Sequence, residues 1–587
     1  MIINWIHIKG FRNFVDETIH FSDKTLIIGA NDVGKSNLLY ALRLLFDRSI
    51  SDRDLELTDS DYNAYTECSE IEIIVHISDV TEDCLKSVFA EALKDGKTYI
   101  QYKNSKDGTY SFAVGFSLEM LEEKTSRFYT RRLNMECVDT NRDLFQFLKR
   151  EKSKLLETAK SQLDDAKVTQ DKKTIEKVQI GLDRINNRIN SLNYIKTSLE
   201  SVNSSLSQLS AHNEDQNVQF VAGNSDAQKL LENLELSYST ADSPLCVGGD
   251  GRNNQIFLAT WIAKQNIQKS LDHVTFYAIE EPEAHLHPHQ QRKLSQYLID
   301  NFNEQVFLTT HSPQIAADFT PERIVRIYTT NKISCVAQGG CSNLVKLSFD
   351  DFSYRLNAIS AEIFFCDGVF LVEGPSEVLF YTALAKALKI DLDHLNITIL
   401  AVNGVGFKPY IKICKALGIP YVVRTDNDIF SQKIKRVKFN YFAGIARVIG
   451  IYSEIISSDK DDDINTYWLE NKEANKWKVK SSIPQAALTI NSEIRRRLDA
   501  HNIFLSEDNL EEDLANSELF PSLKSFYKST DREALVENMQ RRKAENMMAY
   551  LQANFNKLKV LSDNEITSPL KRIEVLVKKV VHPYATD

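Results

Sequence analysis

The chain predicts an α/β protein in which a first domain, interrupted by a long helical arm, is followed by a second domain with an acidic sheet edge. Three stretches carry this reading. Residues 25–28 form a short apolar strand that runs into Gly29-Ala30-Asn31-Asp32-Val33-Gly34-Lys35-Ser36 and then a helix-forming segment, 37–46. Between Ile175 and Leu209, apolar residues recur every three or four positions in an otherwise polar stretch. Two further apolar runs, 370–372 and 419–425, end on Glu373 and on Asp426-Asn427-Asp428.

At 587 residues the chain is too long for one core, and two or three domains are expected. With 43% apolar and 26% charged residues it is globular rather than disordered. A net charge of -10 argues against a generally sticky nucleic-acid binder, although DNA contacts need only a local basic stripe. Eight cysteines lie scattered singly, with no Cys-x-x-Cys, so neither a zinc knuckle nor a disulfide framework is indicated. Reduced thiols, the lack of a signal pattern at the start and the lack of a long apolar run point to a cytoplasmic protein without membrane contact.

In chain order, residues 2–8 alternate as a strand, and Lys9-Gly10-Phe11-Arg12-Asn13-Phe14 turns into a second. The glycine-rich loop after 25–28 lets backbone amides wrap phosphates, with Asn31, Gly34, Lys35, Ser36 and Asn37 as the binding residues. Lys35 reaches the β and γ oxygens and the Ser36 hydroxyl goes to Mg²⁺. Residues 71–77 read as a strand and 98–116 as a hairpin around Asp107-Gly108. From 151 to about 209 the seam Ile175, Val178, Leu182, Ile185, Ile189, Leu192, Ile195, Leu199, Val202, Leu206, Leu209 has coiled-coil spacing with one slip near Leu192. It is either a long helix or a helical hairpin starting near Lys152. Packing on its own domain and dimerisation are both open, and the narrow stripe favours a dimerising arm. A glycine cluster, Gly248-Gly249-Asp250-Gly251-Arg252, precedes a helix from about 255 to 269 and is a candidate anion site. Strand 274–279 ends on Glu280-Glu281-Pro282-Glu283. Glu280 is placed to hold Mg²⁺ through water, and Glu281 to orient the water that attacks the γ phosphate. Strand 305–309 delivers Thr310-His311-Ser312, with His311 positioned to sense that phosphate.

This ordered series resembles the ATP-binding-cassette ATPases of the SMC and RecF type, in which a coiled insertion separates the phosphate loop from the acid pair. The Leu286-His287-Pro288 that follows the acids is characteristic of that branch. The resemblance implies ATP with Mg²⁺ and assembly of two cassettes, with the signature glycines departing from the usual pattern. It divides the chain into 1–150 and 213–347 as two halves of an ABC-type ATPase, 151–212 as the helical dimerisation insertion, and 348–587 as the second domain.

In that second domain, Glu373 sits where a strand ends and Gly374-Pro375 starts a turn into a helix capped at Ser376. If 419–425 lies beside 370–372 in a parallel sheet, Glu373, Asp426 and Asp428 converge on its edge. Acids so placed repel unless a cation lies among them, and oxygen ligands of this kind suit Mg²⁺ or Mn²⁺. The pattern, with the 402–406 glycine turn between its parts, resembles the Toprim domain of topoisomerases, primases and certain nucleases. Beyond it, residues 433–438 (KIKRVK) form a basic run that can hold a phosphate backbone or be a solvated face, and 458–463 is an acidic loop. Residues 503–507 give a strand into Glu511-Glu512-Asp513, and Gln540-Arg541-Arg542-Lys543 reads as part of one helix ending at Met547-Met548.

Cassette, Toprim segment and late acids together resemble the OLD family (overcoming lysogenisation defect) of ATP-dependent endonucleases over almost the whole chain. That resemblance implies a second metal position, for which Glu377, Glu507, Glu511 and Asp513 are candidates, and a transition-state lysine, Lys543. The length, the Phe-Arg-Asn-Phe start and the 503–514 segment are most similar to large nuclease subunits of the Gabija antiphage system. The resemblance therefore implies cleavage of double-stranded DNA in antiviral defence, a homodimer or higher oligomer such as a tetramer, and a UvrD-like helicase partner. The rival reading is a RecF-like or SMC-like ATP-dependent DNA-binding repair protein without nuclease activity. A Toprim primase is a second rival, weakened by the missing zinc-ribbon cysteines.

Overall fold

The computed structural model describes residues 1–139, 163–209, 226–232, 238–240, 243–245, 250–268, 273–301, 304–341, 360–404, 406–434, 437–457, 462–479 and 481–581, with 156, 159–160 and 218. The sequence boundaries at 150, 212 and 347 lie outside these residues, as do Lys152, Gly248, Gly249, Val405, Lys435, Arg436 and 458–461. The described chain forms two compact units. One comprises Met1–Val138, Asp272–Glu283 and Pro288–Asp587, and the other Asp139–Leu271 with Ala284–His287.

The first unit opens with β1 (Ile2–Lys9) and β2 (Asp16–His20), an antiparallel pair, followed by β3 (Lys24–Ile28), all five residues of which are buried. Helix α1 (Lys35–Phe46) buries Leu38, Leu42 and Leu45, spaced at helical period, into the core. Strands β4 (Glu70–Ser78), β5 (Thr98–Ser105), β6 (Tyr110–Gly115) and β7 (Glu122–Lys124) complete an antiparallel sheet in the order β2-β1-β4-β5-β6-β7. Next comes β8 (Leu133–Val138).

The second unit holds α2 (Asp165–Asn190), α3 (Asn193–Leu209), the small hairpin β9 (Tyr238–Thr240) and β10 (Ser243–Leu245), and α4 (Asp250–Gln268). The arm is thus two helices broken at Ser191-Leu192, where the apolar repeat slips. Val178, Ile185, Leu192 and Val202 of the seam stay exposed in the single chain. Helix α4 starts at Asp250, ahead of the expected 255, and Asn254 Nδ2 donates to Ala284 O at 2.7 Å.

Back in the first unit, β11 (Val274–Glu280), β12 (Val306–Thr309), β13 (Ile324–Thr330) and β14 (Ile333–Val336) join β3 and β8 in the order β14-β13-β3-β12-β11-β8. All but β14 run parallel, so the loops after β3, β11 and β12 open at one sheet edge.

The same unit continues through β15 (Gly368–Val372), α5 (Pro375–Ala387), β16 (Ile397–Ala401), β17 (Tyr421–Thr425), β18 (Ile429–Ile434), β19 (Val437–Phe442) and α6 (Ala443–Ile451). After these come β20 (Lys476–Lys478), α7 (Gln485–Asp499), β21 (Ile503–Leu505), α8 (Leu510–Ala515), α9 (Arg532–Gln540), α10 (Lys543–Asn554) and α11 (Ser568–Val581). The parallel sheet β16-β15-β17-β21 makes β15 and β17 neighbours, the adjacency on which convergence of the acids depends. Helix α11 seats on Gly368, where a Cβ would meet Val577 Cγ2 at 2.3 Å.

Two local expectations need correction. Helix α5 begins at Pro375 behind Gly374 without a side-chain cap. The 540–548 segment is not one helix: α9 ends at Gln540, Arg542 takes a left-handed φ of 53°, and Lys543 starts α10.

Candidate active site

The nucleotide side is built at the carboxyl ends of β3, β11 and β12. Gly29 (φ 155°) and Gly34 (φ 108°) leave no room for a side chain: a Cβ would meet Ile327 O at 2.3 Å and the Asn13 amide at 2.6 Å. Lys35 is buried and folds back to donate to Gly29 O at 3.0 Å and Ala30 O at 2.6 Å. Burial lowers its pKa, against the pull of Glu281, Asp32, Glu280 and Glu283. Ser36 Oγ donates to Glu280 Oε2 at 3.4 Å. Glu281 takes a positive φ of 42°, its N–H donates to Thr309 O at 3.0 Å, and its Oε1 stands 3.5 Å from His311 Nε2. Burial, then the Lys35 charge, lower the His311 pKa, favouring the neutral ring.

A cavity of about 570 Å³ opens here, lined by Arg12, Asn31, Lys35, Ser36, Glu281 and His311 among others. Loop amides, a buried lysine, a serine hydroxyl and two acids fit a nucleoside triphosphate with Mg²⁺. Asn37 lines the cavity too, but its amide is engaged by Arg12 at 2.7 Å and by Asn13 at 2.8 Å. Glu283, for which the sequence pattern assigns no role, accepts at Oε1 from Thr310 Oγ1 at 2.6 Å and from His311 N–H at 2.7 Å. It shapes the turn that carries His311.

The acidic side lies at the carboxyl ends of β15 and β17. Glu373 Oε1 accepts from Asp426 N–H at 2.9 Å, from the Thr425 hydroxyl, and from Arg447 Nη1 at 2.9 Å. Arg447, on α6, also donates to Thr425 Oγ1 at 2.9 Å. The turn after β16 closes on the same residue, with Gly404 N–H donating to Glu373 O at 3.0 Å. Asp426 is buried, and burial followed by the Glu373 charge pushes its pKa up to about 8. Burial and Glu373 raise Asp428 as well, opposed by Arg447 and Lys543. Helix α6 clasps the loop carrying both aspartates: Ala443 N–H donates to Asp428 O at 2.9 Å, and a Cβ on Gly444 would meet Asp426 O at 2.4 Å.

A second group faces the first. Glu377 is buried, which raises its pKa. Glu511 is 1% exposed, its Oε1 has no hydrogen-bond partner, and its Oε2 lies 3.1 Å from Lys543 Nζ. Burial opposes the Lys543 charge, but Glu511, Asp426 and Glu377 hold its pKa above the usual lysine value. Asp508, absent from the sequence candidates, belongs here: burial and then Asp428 raise its pKa, while Lys543 opposes them.

Glu507 and Asp513 are not brought in as open carboxylates. Asp513 Oδ2 pairs with buried Arg424 at 2.6 Å and its Oδ1 accepts from Glu507 N–H at 3.0 Å. The Glu507 side chain is exposed beside Arg495 and Asn516 and lines a separate cavity of about 500 Å³. Among the described residues no three His, Cys, Asp or Glu side chains close around a single metal position. Arg447 supplies the positive charge at Glu373. The donor set nonetheless suits a hard divalent cation, because an unpartnered buried carboxylate oxygen is costly unless something binds it.

Residues 24–318, half of the chain, match the family model described as AAA domain, putative AbiEii toxin, Type IV TA system. Residues 364–428 match the TOPRIM domain of overcoming lysogenization defect protein-like proteins. Endonuclease GajA of Bacillus cereus (strain VD045) is 26% identical over 569 residues, covering 92% of this chain and 94% of its own. The OLD nuclease of Thermus scotoductus is 27% identical over 222 residues, 35% of this chain and 41% of its own. Among solved structures, an SMC head bound to the C-winged helix domain of ScpA aligns with a TM-score of 0.35 at 16% identity, covering 57% of this chain and 97% of that one. No helix among the described residues is long and apolar enough to cross a membrane.

Proposed function

We propose that this chain, which belongs to the OLD family and joins an AAA domain to an OLD-like TOPRIM domain, is a nucleotide-regulated, metal-dependent endonuclease acting on double-stranded DNA. The observation that carries the reading is the buried carboxylate cluster at the edge of the β15–β17 pair, with one Glu511 oxygen lacking any partner. A RecF-like binder has no use for it, since gathering acids without ligands costs stability.

Glu373, Asp426 and Asp428 would hold one Mg²⁺ or Mn²⁺, and Glu377, Glu511 and Asp508 a second. Bound there, such ions supply an activated water and neutralise the leaving oxygen of an in-line displacement. Of the chain's own groups, Lys543 Nζ stands beside Glu511 to stabilise charge developing on the phosphate. Thr425 and Asp426 N–H fix the Glu373 carboxylate. Expulsion of the Asp426 proton readies that carboxylate for a cation.

Regulation by nucleotide has a path within one compact unit. Arg326 on β13, the strand beside β3, donates from Nη1 to Leu417 O at 3.1 Å and from Nη2 to Cys366 O at 3.1 Å, just ahead of β15. A shift of β3 on nucleotide binding would therefore reach the strand that carries Glu373. The exposed seam of α2 and α3 is proposed as a homo-oligomer contact. The antiphage role and the UvrD-like helicase partner enter on family resemblance alone, and loss of phage protection by the Glu373→Ala chain would test the former.

The test is cleavage of supercoiled plasmid in Mg²⁺ or Mn²⁺. The unaltered chain should nick or linearise it, and Glu373→Ala and Asp426→Ala should not. Undiminished cutting by either variant would refute the assignment.

A further inference from the structure

Directly after Asp428 the chain builds a three-stranded antiparallel sheet, β18-β19-β20, that the metal chemistry does not use. Its strands IFSQKI, VKFNYF and KWK contain no Asp or Glu, yet carry four lysines and five aromatic residues. In a chain with net charge -10 this is a sharp local inversion. Both ends of the β18–β19 pair are tied to the acid loop, since β18 starts at Ile429 and β19 returns at Phe442, where Ala443 N–H binds Asp428 O.

Cross-strand partners share a face, so the pairing sorts the side chains into two faces. One face turns inward: Phe442 and Trp477 are buried with their rings 5.2 Å apart. The other presents two rows across the three strands, Phe430-Tyr441-Lys476 and Gln432-Phe439-Lys478. Phe430 is 52% exposed, Gln432 and Lys478 are exposed, and Phe439 and Tyr441 are half-buried. Rows two residues apart lie roughly 7 Å from each other along a strand. At the outer end of the Phe442–Trp477 face, exposed Lys433 stands directly opposite exposed Lys438, with no acid on either strand.

We propose that this open face is a stacking platform for an unpaired stretch of DNA flanking the bond to be cut. Bases would lie on Phe430, Tyr441 and Phe439, with the backbone held by Lys478 on the same face. Aromatic faces accept any base, and lysines accept the phosphates, so such a surface binds single strands with little sequence preference. A protein partner fits less well, because a three-stranded sheet with four lysines and no acid in its strands calls for a polyanion. The inference rests on the nuclease reading in placing the scissile phosphate at the acids, but the binding itself can be measured separately.

The host for the test is the full chain carrying Glu373→Ala, titrated with fluorescent oligothymidine and with duplex DNA. Phe430→Ala should weaken oligothymidine binding about tenfold, Phe430→Trp should preserve it, and duplex binding should change less. Lys478→Ala should reduce the salt slope of log affinity by roughly 0.7. Equal oligothymidine affinity in the host and in Phe430→Ala would overturn the platform. A Phe430→Ala protein whose sedimentation changes while its DNA affinity does not would also overturn it, by assigning the face to a second copy of the chain. Plasmid cleavage by the chain with Glu373 intact reports on the nuclease reading, so the two can fail independently.

Discussion

Replacing Arg447 by Met should make the chain bind Mn²⁺ more tightly. Its guanidinium donates to Glu373 Oε1 at 2.9 Å, and both side chains are 17% exposed. A hydrogen bond to a charged group nets about 1.5–3 kcal/mol, and partial exposure brings this pair to roughly 1–2 kcal/mol. A cation taking Glu373 must loosen that pair and overcome the nearby positive charge, so its removal should tighten Mn²⁺ binding about 5- to 30-fold. Free Mn²⁺ measured by electron paramagnetic resonance during titration of the full chain reads this directly. The metal-free variant should also be less stable by a similar amount, and saturating Mn²⁺ should restore it. Unchanged or weaker Mn²⁺ affinity would refute the idea that Arg447 and the metal compete for Glu373.

Asp426, at about 8 in the folded chain against about 3.9 unfolded, binds more protons when folded, so the metal-free protein should lose stability as pH rises from about 4 to about 8. Thermal melts across that window should show a slope that Asp426→Asn flattens; equal slopes would contradict the assignment. Because a cation expels that proton, Mn²⁺ affinity should rise over the same window. Lys35→Ala should abolish binding of a fluorescent ATP analogue and remove the effect of ATP on plasmid cleavage while the cutting itself persists. Arg326→Met should leave nucleotide binding and metal-dependent cutting measurable but unlink them, seen as cleavage insensitive to ATP. Arg424→Met strands the buried Asp513 carboxylate, and urea unfolding should show a loss of about 3–5 kcal/mol.

The nucleotide loop was legible because its chemistry is local: strand, glycines, lysine and helix follow one another, and backbone geometry does the rest. Glu373 and the two aspartates were legible as strand ends, and the β15–β17 pairing made them neighbours. The late acids were not. Past Leu505 the chain leaves β21 and turns, so strand alternation no longer says which side chain faces inward, and Asp508 rather than Glu507 joins the cluster. Asp513 looked like a ligand when it is the counter-ion of Arg424. The signal was present in an arginine within the buried run YVVRT, which needs an acid to pair with. Arg447 carried a similar signal as the one cation of the apolar helix AGIARVIGI. Lys543 comes apart from Arg541 and Arg542 only because Arg542 breaks the helix, a backbone event that composition does not announce.

Anomalous diffraction from crystals of the full chain grown with Mn²⁺ examines the metal assignment most directly. A peak is expected within coordination distance of Glu373, Asp426 and Asp428, with Arg447 drawn away from Glu373. Density without such a peak, and Arg447 still paired to Glu373, would contradict it.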